Sequence, residues 1–119
     1  MYIEKSILAP KLAILKQALP GKQGEGIKGV LYKNKSLFAT NMEIGIRTPL
    51  LQDQEECFII PDKAIELIER LPDAPIEITG KSGEGKQYIT VKTPGINNKF
   101  QSYDPYIYPE FEQVVNTSQ

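Results

Sequence analysis

The feature that most constrains the fold of this chain is a repeated order of elements: a strand, a helix and three further strands, occurring twice. The first copy comprises the predicted elements Tyr2–Lys5, Ile7–Leu19, Ile27–Tyr32, Ser36–Thr40 and Glu43–Leu50. The second copy comprises Glu56–Ile60, Asp62–Leu71, Ile76–Gly80, Gln87–Lys92 and Asn98–Tyr103. The strands alternate apolar and polar residues, which favours antiparallel sheets with one buried face. We therefore predict an α+β fold of two β-α-β-β-β units, with both helices on one face of antiparallel sheet.

Both predicted helices are amphipathic. The first has a stripe of leucines at helical spacing that two isoleucines widen: Leu8, Leu12, Leu15, Leu19, Ile7 and Ile14. The second has apolar residues over about half of its circumference, at about 100° per residue: Ala64, Ile65, Leu67, Ile68 and Leu71. We expect these sides to be buried. The sides left to solvent carry Ala9, Pro10, Ala13, Lys16 and Gln17 on the first helix, and Lys63, Glu66 and Arg70 on the second.

The length and charge of the chain limit its organisation. A chain of 119 residues can bury the core of one domain, which we place at residues 1–105, followed by a linker or packed tail over 106–119. The net charge of −1 gives no overall attraction to a polyanion, so a nucleic-acid site would depend on uneven placement of lysines. The N-terminal residues are unlike a signal peptide and no apolar run reaches membrane-spanning length, so we expect a cytoplasmic protein without a membrane partner.

The residues that usually carry catalysis or bind metal ions are scarce. The chain has no histidine, and its one cysteine, Cys57, lies in an apolar run that predicts a buried, inert thiol. Gly80-Lys81-Ser82 is similar to the end of a phosphate-binding loop, but it joins two predicted strands instead of leading into a helix. The carboxylates of Asp53, Glu55 and Glu56 are expected in a solvated turn. We therefore expect a non-catalytic protein without a cofactor or a metal ion.

Five segments, by their order and spacing, resemble one known family. The longest is Ser36–Ile46, in which an apolar strand is followed by Thr-Asn-Met-Glu and an alternating apolar strand. The other four are Leu12–Leu19, Ile60–Pro72, Lys99–Ser102 and Tyr108–Phe111. Together these segments resemble the first domain of the bacterial sliding clamp, the β subunit of DNA polymerase III. A subunit of that family has three such domains, whereas the resemblance here covers one.

The resemblance implies a mechanism based on topology. A sliding clamp is a ring of six such domains that encloses duplex DNA, and helices line the hole and contact phosphates. The resemblance implies weak, non-specific binding of double-stranded DNA by positively charged residues: Lys11, Lys16, Lys22, Lys63 and Arg70. Because Glu66 lies on the same exposed arc as Arg70, we expect the affinity to be low and strongly salt-dependent.

The same resemblance implies contacts between the domains of a ring. The positions that match the family's subunit contacts are Ile68, Leu71 and Phe100. From the residues alone, these three side chains could equally belong to the domain's own core. The implied partners are a second copy of this chain or further clamp domains, together with a DNA polymerase and a clamp loader. The family's protein-binding pocket lies mostly between its second and third domains, so it cannot be carried over to this chain.

Three alternatives stay open at this point. The chain could be a single-domain, clamp-like protein that assembles several copies into a ring or that modulates a full-length clamp. It could be a clamp-fold interaction module that no longer binds DNA, in which case reversing the charges of Lys16, Lys63 and Arg70 would change little. It could also be the first domain of a longer protein.

Overall fold

A computed structural model describes residues 1–20, 26–41, 45–50, 56–108 and 114–116 of the chain. The first repeat contains β1 (Tyr2–Glu4), α1 (Lys5–Lys16), β2 (Gly29–Lys33), β3 (Ser36–Thr40) and β4 (Gly45–Pro49). The second contains β5 (Phe58–Pro61), α2 (Asp62–Arg70), β6 (Pro75–Gly83), β7 (Lys86–Thr93) and β8 (Ile96–Ser102). A short 3₁₀ turn at Pro105–Ile107 and a last strand, β9 (Val114–Asn116), follow. The predicted α+β fold is therefore confirmed.

The two repeats exchange their first strands. β1 leaves its own repeat and pairs antiparallel with β6, where Ile3 lies opposite Ile76. β5 does the reverse and pairs antiparallel with β2, where Val30 lies opposite Ile60. The result is one sheet of order β1-β6-β7-β8 and a second of order β5-β2-β3-β4-β9. Each sheet therefore contains strands from both halves of the sequence.

One hydrophobic cluster joins both helices to the inner faces of both sheets. α1 contributes Leu8, Leu12 and Leu15, and α2 contributes Ala64, Ile65 and Ile68, all of them buried. α1 packs against α2 and against all four strands of its own repeat. Alternate residues of the strands complete the cluster, as expected where one face of a sheet is buried: Val30, Tyr32, Leu37, Ala39, Ile76, Ile78, Ile89 and Val91.

The first helix differs from its prediction at both ends. It begins at Lys5, two residues early, because the backbone N–H of Lys5 donates to the carbonyl of Ala74 (3.2 Å) and thereby satisfies one donor of the first turn. It ends at Lys16 because the next three N–H groups bond to carbonyls three residues back, those of Ile14, Leu15 and Lys16. This tighter turn leads into Pro20.

The prediction that Ile7 and Ile14 belong to the buried side of this helix is wrong. Ile7 is 50% exposed and Ile14 is 46% exposed. Both lie about 100° or more around the helix from the leucine stripe, so the width of the contact with the sheets leaves them outside it. The helix therefore presents two isoleucines, as well as lysines, to solvent.

The end of the described chain is attached to the second sheet. Tyr108 is buried and packs with Leu31 and Ile59 in a smaller cluster. Its hydroxyl lies 3.2 Å from the carbonyl oxygens of both Gly29 and Phe38, and it can donate its single hydrogen to one of them at a time. Burial raises the pKa of this phenol, against a smaller opposing effect of the Thr40 backbone. β9, which the sequence did not predict as a strand, pairs in parallel with β4.

Gly29 marks the closest approach of the exchanged strand β5 to β2. A β-carbon at this position would lie 2.6 Å from Cγ2 of Ile59 and 2.9 Å from the carbonyl oxygen of Ile60. We expect Gly29→Ala to push these strands apart and to lower the free energy of unfolding by about 1–3 kcal/mol. Gly83→Ala is the matched control, because nothing lies within 4 Å of its added β-carbon. Urea denaturation would measure both, and equal stability of the two variants would contradict the close approach.

The Tyr108 hydroxyl offers a test of how firmly the turn that ends at Tyr108 is attached to the second sheet. We expect Tyr108→Phe to keep the packing of the ring but to lose the bond to Gly29 or Phe38, and thus to lower the free energy of unfolding by about 1 kcal/mol. Tyr106→Phe, at a residue 86% exposed, should change it by less than about 0.5 kcal/mol. Thermal or urea denaturation of the two variants would decide, and a Tyr108→Phe protein as stable as the parent would contradict the attachment.

Candidate nucleic-acid interface

The candidate site is the solvent side of the two packed helices. On α1 this side carries Pro10, Ala13 and Lys16, which are exposed, followed by the exposed Gln17 just after the helix. On α2 it carries the exposed side chains of Lys63, Glu66 and Arg70. Around its lysines α1 is uncharged, and it combines the small residues with the exposed side chains of Ile7 and Ile14.

Positive charge on this surface is concentrated on α1. That helix has three lysines, at positions 5, 11 and 16, and no carboxylate. α2 has two cations, Lys63 and Arg70, but three carboxylates, Asp62, Glu66 and Glu69. A polyanion would therefore be attracted mainly to α1, and α2 would contribute little net attraction.

An ion pair links the two helices on this surface. Nζ of Lys16 lies 3.0 Å from Oε1 of Glu69, and the side chains are 50% and 32% exposed. An exposed pair of this kind contributes about 0–1 kcal/mol to stability. Its larger effect is to lower the positive charge of this surface, because Glu69 compensates Lys16, one of the cations predicted to contact DNA. No local pattern predicts this pair, since 53 residues separate the partners.

The five residues predicted to contact DNA are placed as follows. Lys16, Lys63 and Arg70 are exposed on the helices, and Lys11 is half-buried on α1. Lys22 lies outside the described residues. The backbone N–H of Lys63 donates to Oδ1 of Asp62 (2.8 Å), which holds the first turn of α2. Four of the five positions thus lie on two neighbouring helices.

The three residues predicted to contact another subunit differ in burial. Ile68 is fully buried and Leu71 is 4% exposed, and both belong to the main hydrophobic cluster. Their assignment to a subunit contact is corrected, because a side chain enclosed by its own domain has no surface to offer. Phe100 is half-buried on β8, which is an edge strand of its sheet. A contact with another subunit remains a prediction for Phe100 alone.

Two predictions about reactive groups are also corrected. Cys57 is exposed, because it precedes β5 and its apolar neighbours enter the sheet without it. Partial burial of the thiol raises its pKa; Lys33 opposes this effect and Asp104 adds to it, so the thiol is protonated at neutral pH. Glu56 is not simply solvated, since its carboxylate accepts a hydrogen bond from the amino group of Met1. Asp53 and Glu55 lie outside the described residues.

The described ranges contain few groups for other chemistry. Within them, no three cysteine, aspartate or glutamate side chains come together in a way that could hold a metal ion. The helices found there are too short or too polar to cross a lipid bilayer.

Comparisons with known proteins place the fold. No protein-family model and no curated protein sequence matches this chain. Among solved structures, the chain is similar to the DNA polymerase III subunit beta from Pseudomonas aeruginosa, with a TM-score of 0.72 and 21% sequence identity. The similarity covers 95% of this chain and 32% of that one, so this chain spans about a third of the length of that subunit. At this identity the comparison shows a shared fold.

Proposed function

We propose that this chain is a sliding-clamp domain, a non-catalytic accessory of DNA replication that helps to enclose duplex DNA. The observation that carries the proposal is helix α1, whose charged residues are all lysines. It packs beside α2 in a fold similar to that of the DNA polymerase III subunit beta. The resemblance of five sequence segments to the sliding clamps agrees with it.

The proposed contact is with phosphates and not with base edges. Lysines on a helix that lies along a duplex neutralise phosphates without reading the sequence, which suits a protein that must slide. The exposed residues between the lysines, among them Pro10, Ala13 and Ile14, carry no charge that would oppose a phosphate. The ion pair of Lys16 with Glu69 and the carboxylates of α2 keep the attraction low. We therefore expect weak binding by a single chain, which the closure of a ring would make effective.

Enclosing DNA requires more than one such domain. A ring would form from several copies of this chain or from this domain joined to further clamp domains. The seven-residue edge strand β8 supports such an assembly, since an edge strand offers unpaired backbone groups to another chain. A DNA polymerase and a clamp loader are proposed as further partners on the basis of the sequence resemblance.

A second candidate is a clamp-fold interaction module that does not bind DNA, including one that modulates a full-length clamp. It is favoured by the three carboxylates of α2 and by the pairing of Lys16 with Glu69, which together reduce the positive field. The two candidates differ in whether the charges of the helices matter for association with a duplex.

The charges of the helices can be tested directly. We expect Lys16→Ala with Lys63→Ala to weaken binding of a labelled duplex and to flatten the slope of log K against log salt concentration by up to about 2, because each lost phosphate contact accounts for about 0.9. Fluorescence anisotropy at a series of salt concentrations measures this slope. The control is Lys33→Ala with Lys35→Ala, an equal change of charge at exposed positions next to the turn between β2 and β3.

Glu69→Gln sharpens this test, because it removes the carboxylate that compensates Lys16 and should strengthen duplex binding. A slope that is unchanged by the loss of Lys16 and Lys63, or that changes as much in the control, would favour the module without DNA binding.

Self-association through β8 is the second test. We expect the mass from light scattering to rise above that of a monomer with increasing concentration, and Phe100→Gln to reduce the rise. Ile46→Gln is the matched control, because Ile46 is likewise half-buried against the main cluster but lies on β4, inside the other sheet. A monomer at every concentration would mean that the chain does not form a ring from its own copies.

A further inference from the structure

The outward face of the first sheet carries a separate group of lysines. On β6 and β7, the residues Ile76, Ile78, Ile89 and Val91 are buried in the main cluster, so the alternate residues point away from the helices. Three of these outward positions, on three adjacent strands, are Lys81, Lys92 and Lys99. We call this set the sheet lysines.

The sheet lysines line a shallow concavity. Its other lining residues include Thr79, Thr90 and a single carboxylate, Glu77. Within the described part of the chain, no carboxylate lies within ion-pair distance of the three ammonium groups. On a chain whose net charge is −1, this face thus has an excess of positive charge and several hydroxyl groups. It is suited to an anionic partner.

The sheet lysines are spaced in successive rows of the ladder. Lys92 lies in the row of Glu77 and Asn97, and Lys99 lies in the next row, opposite Thr90. Lys81 lies one row further on, opposite Tyr88. Rows on one face of a sheet are two residues apart, which is about 6.5 Å. Alternate side chains of an extended peptide have the same spacing, so an extended partner could place one acidic side chain near each row.

Tyr88 argues against a single-stranded nucleic acid on this face. The ammonium of Lys99 lies 4.3 Å from the centroid of the Tyr88 ring and covers one side of it. Binding of single strands relies on exposed aromatic rings that stack on bases. No aromatic residue is among those that line the concavity, and the exposed ring of Tyr2 lies beside it, opposite Glu77 on β1. The lining favours carboxylates, which need only cations and hydroxyl donors.

We propose that this face binds an extended, acidic segment of a partner protein, with alternate carboxylates bound by Lys92, Lys99 and Lys81. The face lies on the opposite side of the first sheet from the main cluster that holds α1 and α2. It is therefore independent of the proposed contact with duplex DNA, and a partner could occupy it while the helices are engaged.

The test uses the whole chain and a labelled peptide in which aspartate alternates with serine over about eight residues, since about five extended residues span the three rows and the rest extend beyond them. Fluorescence anisotropy is measured at about 50 and 200 mM salt. A peptide of the same composition with its aspartates adjacent, and an oligothymidylate of equal charge, serve as competing probes. We expect the alternating peptide to bind several-fold tighter than both, and its affinity to fall at the higher salt concentration.

The variant is Lys81→Gln, Lys92→Gln and Lys99→Gln together, at positions where all three side chains are exposed and none lies in the main cluster. We expect about a tenfold loss of affinity. The control removes the same charge at Lys5, Lys33 and Lys35, and circular dichroism checks that both variants fold. An equal loss in the control, no binding at the lower salt concentration, or tighter binding of either competing probe would overturn the proposal.

Discussion

The exchange of strands between the two repeats is the interaction on which the rest of the structure depends. β1 and β5 each join the sheet of the other repeat, and each leads without a loop into the helix that follows it. The helices are therefore fixed side by side over a common core instead of over separate sheets. Gly29 permits the exchange on one side, because β5 lies too close there for a side chain. The pairing of the strands, the position of the helices and the packing of the hydrophobic core therefore depend on one another.

The position of the two helices, and not the composition of the chain, determines where positive charge is concentrated on the surface. Neither the net charge nor the composition favours a polyanion, yet α1 has lysines without carboxylates and lies next to α2, whose charges nearly cancel. Glu69 then holds one of the lysines. Other lysines lie on the far side of the first sheet. Two groups of positively charged residues therefore lie on surfaces that face different directions.

Local patterns predicted the elements, and tertiary contacts decided what the patterns left open. β3 was predicted to the residue, because its apolar run is bounded by turn residues. Helical periodicity gave the direction of the buried side of α1 but not its width, so Ile7 and Ile14 were misplaced. The partner of Lys16, the exposure of Cys57 and the pairing of β9 each depend on residues distant in sequence, which no local pattern contains. The resemblance pointed to residues such as Ile68 by position, without information on their burial.

Tyr108 has a consequence for how the protein opens locally. Its ring contacts β2 and β5 through Leu31 and Ile59, while its hydroxyl reaches carbonyls of both β2 and β3. One side chain from outside the sheet thus ties three neighbouring strands. The turn Pro105–Ile107 that leads into it cannot fray together with Tyr108 without removing contacts from the centre of that sheet, so their opening is coupled to that of the strands beneath. The turn that ends at Tyr108 is in this sense part of the cooperative unit of the second sheet.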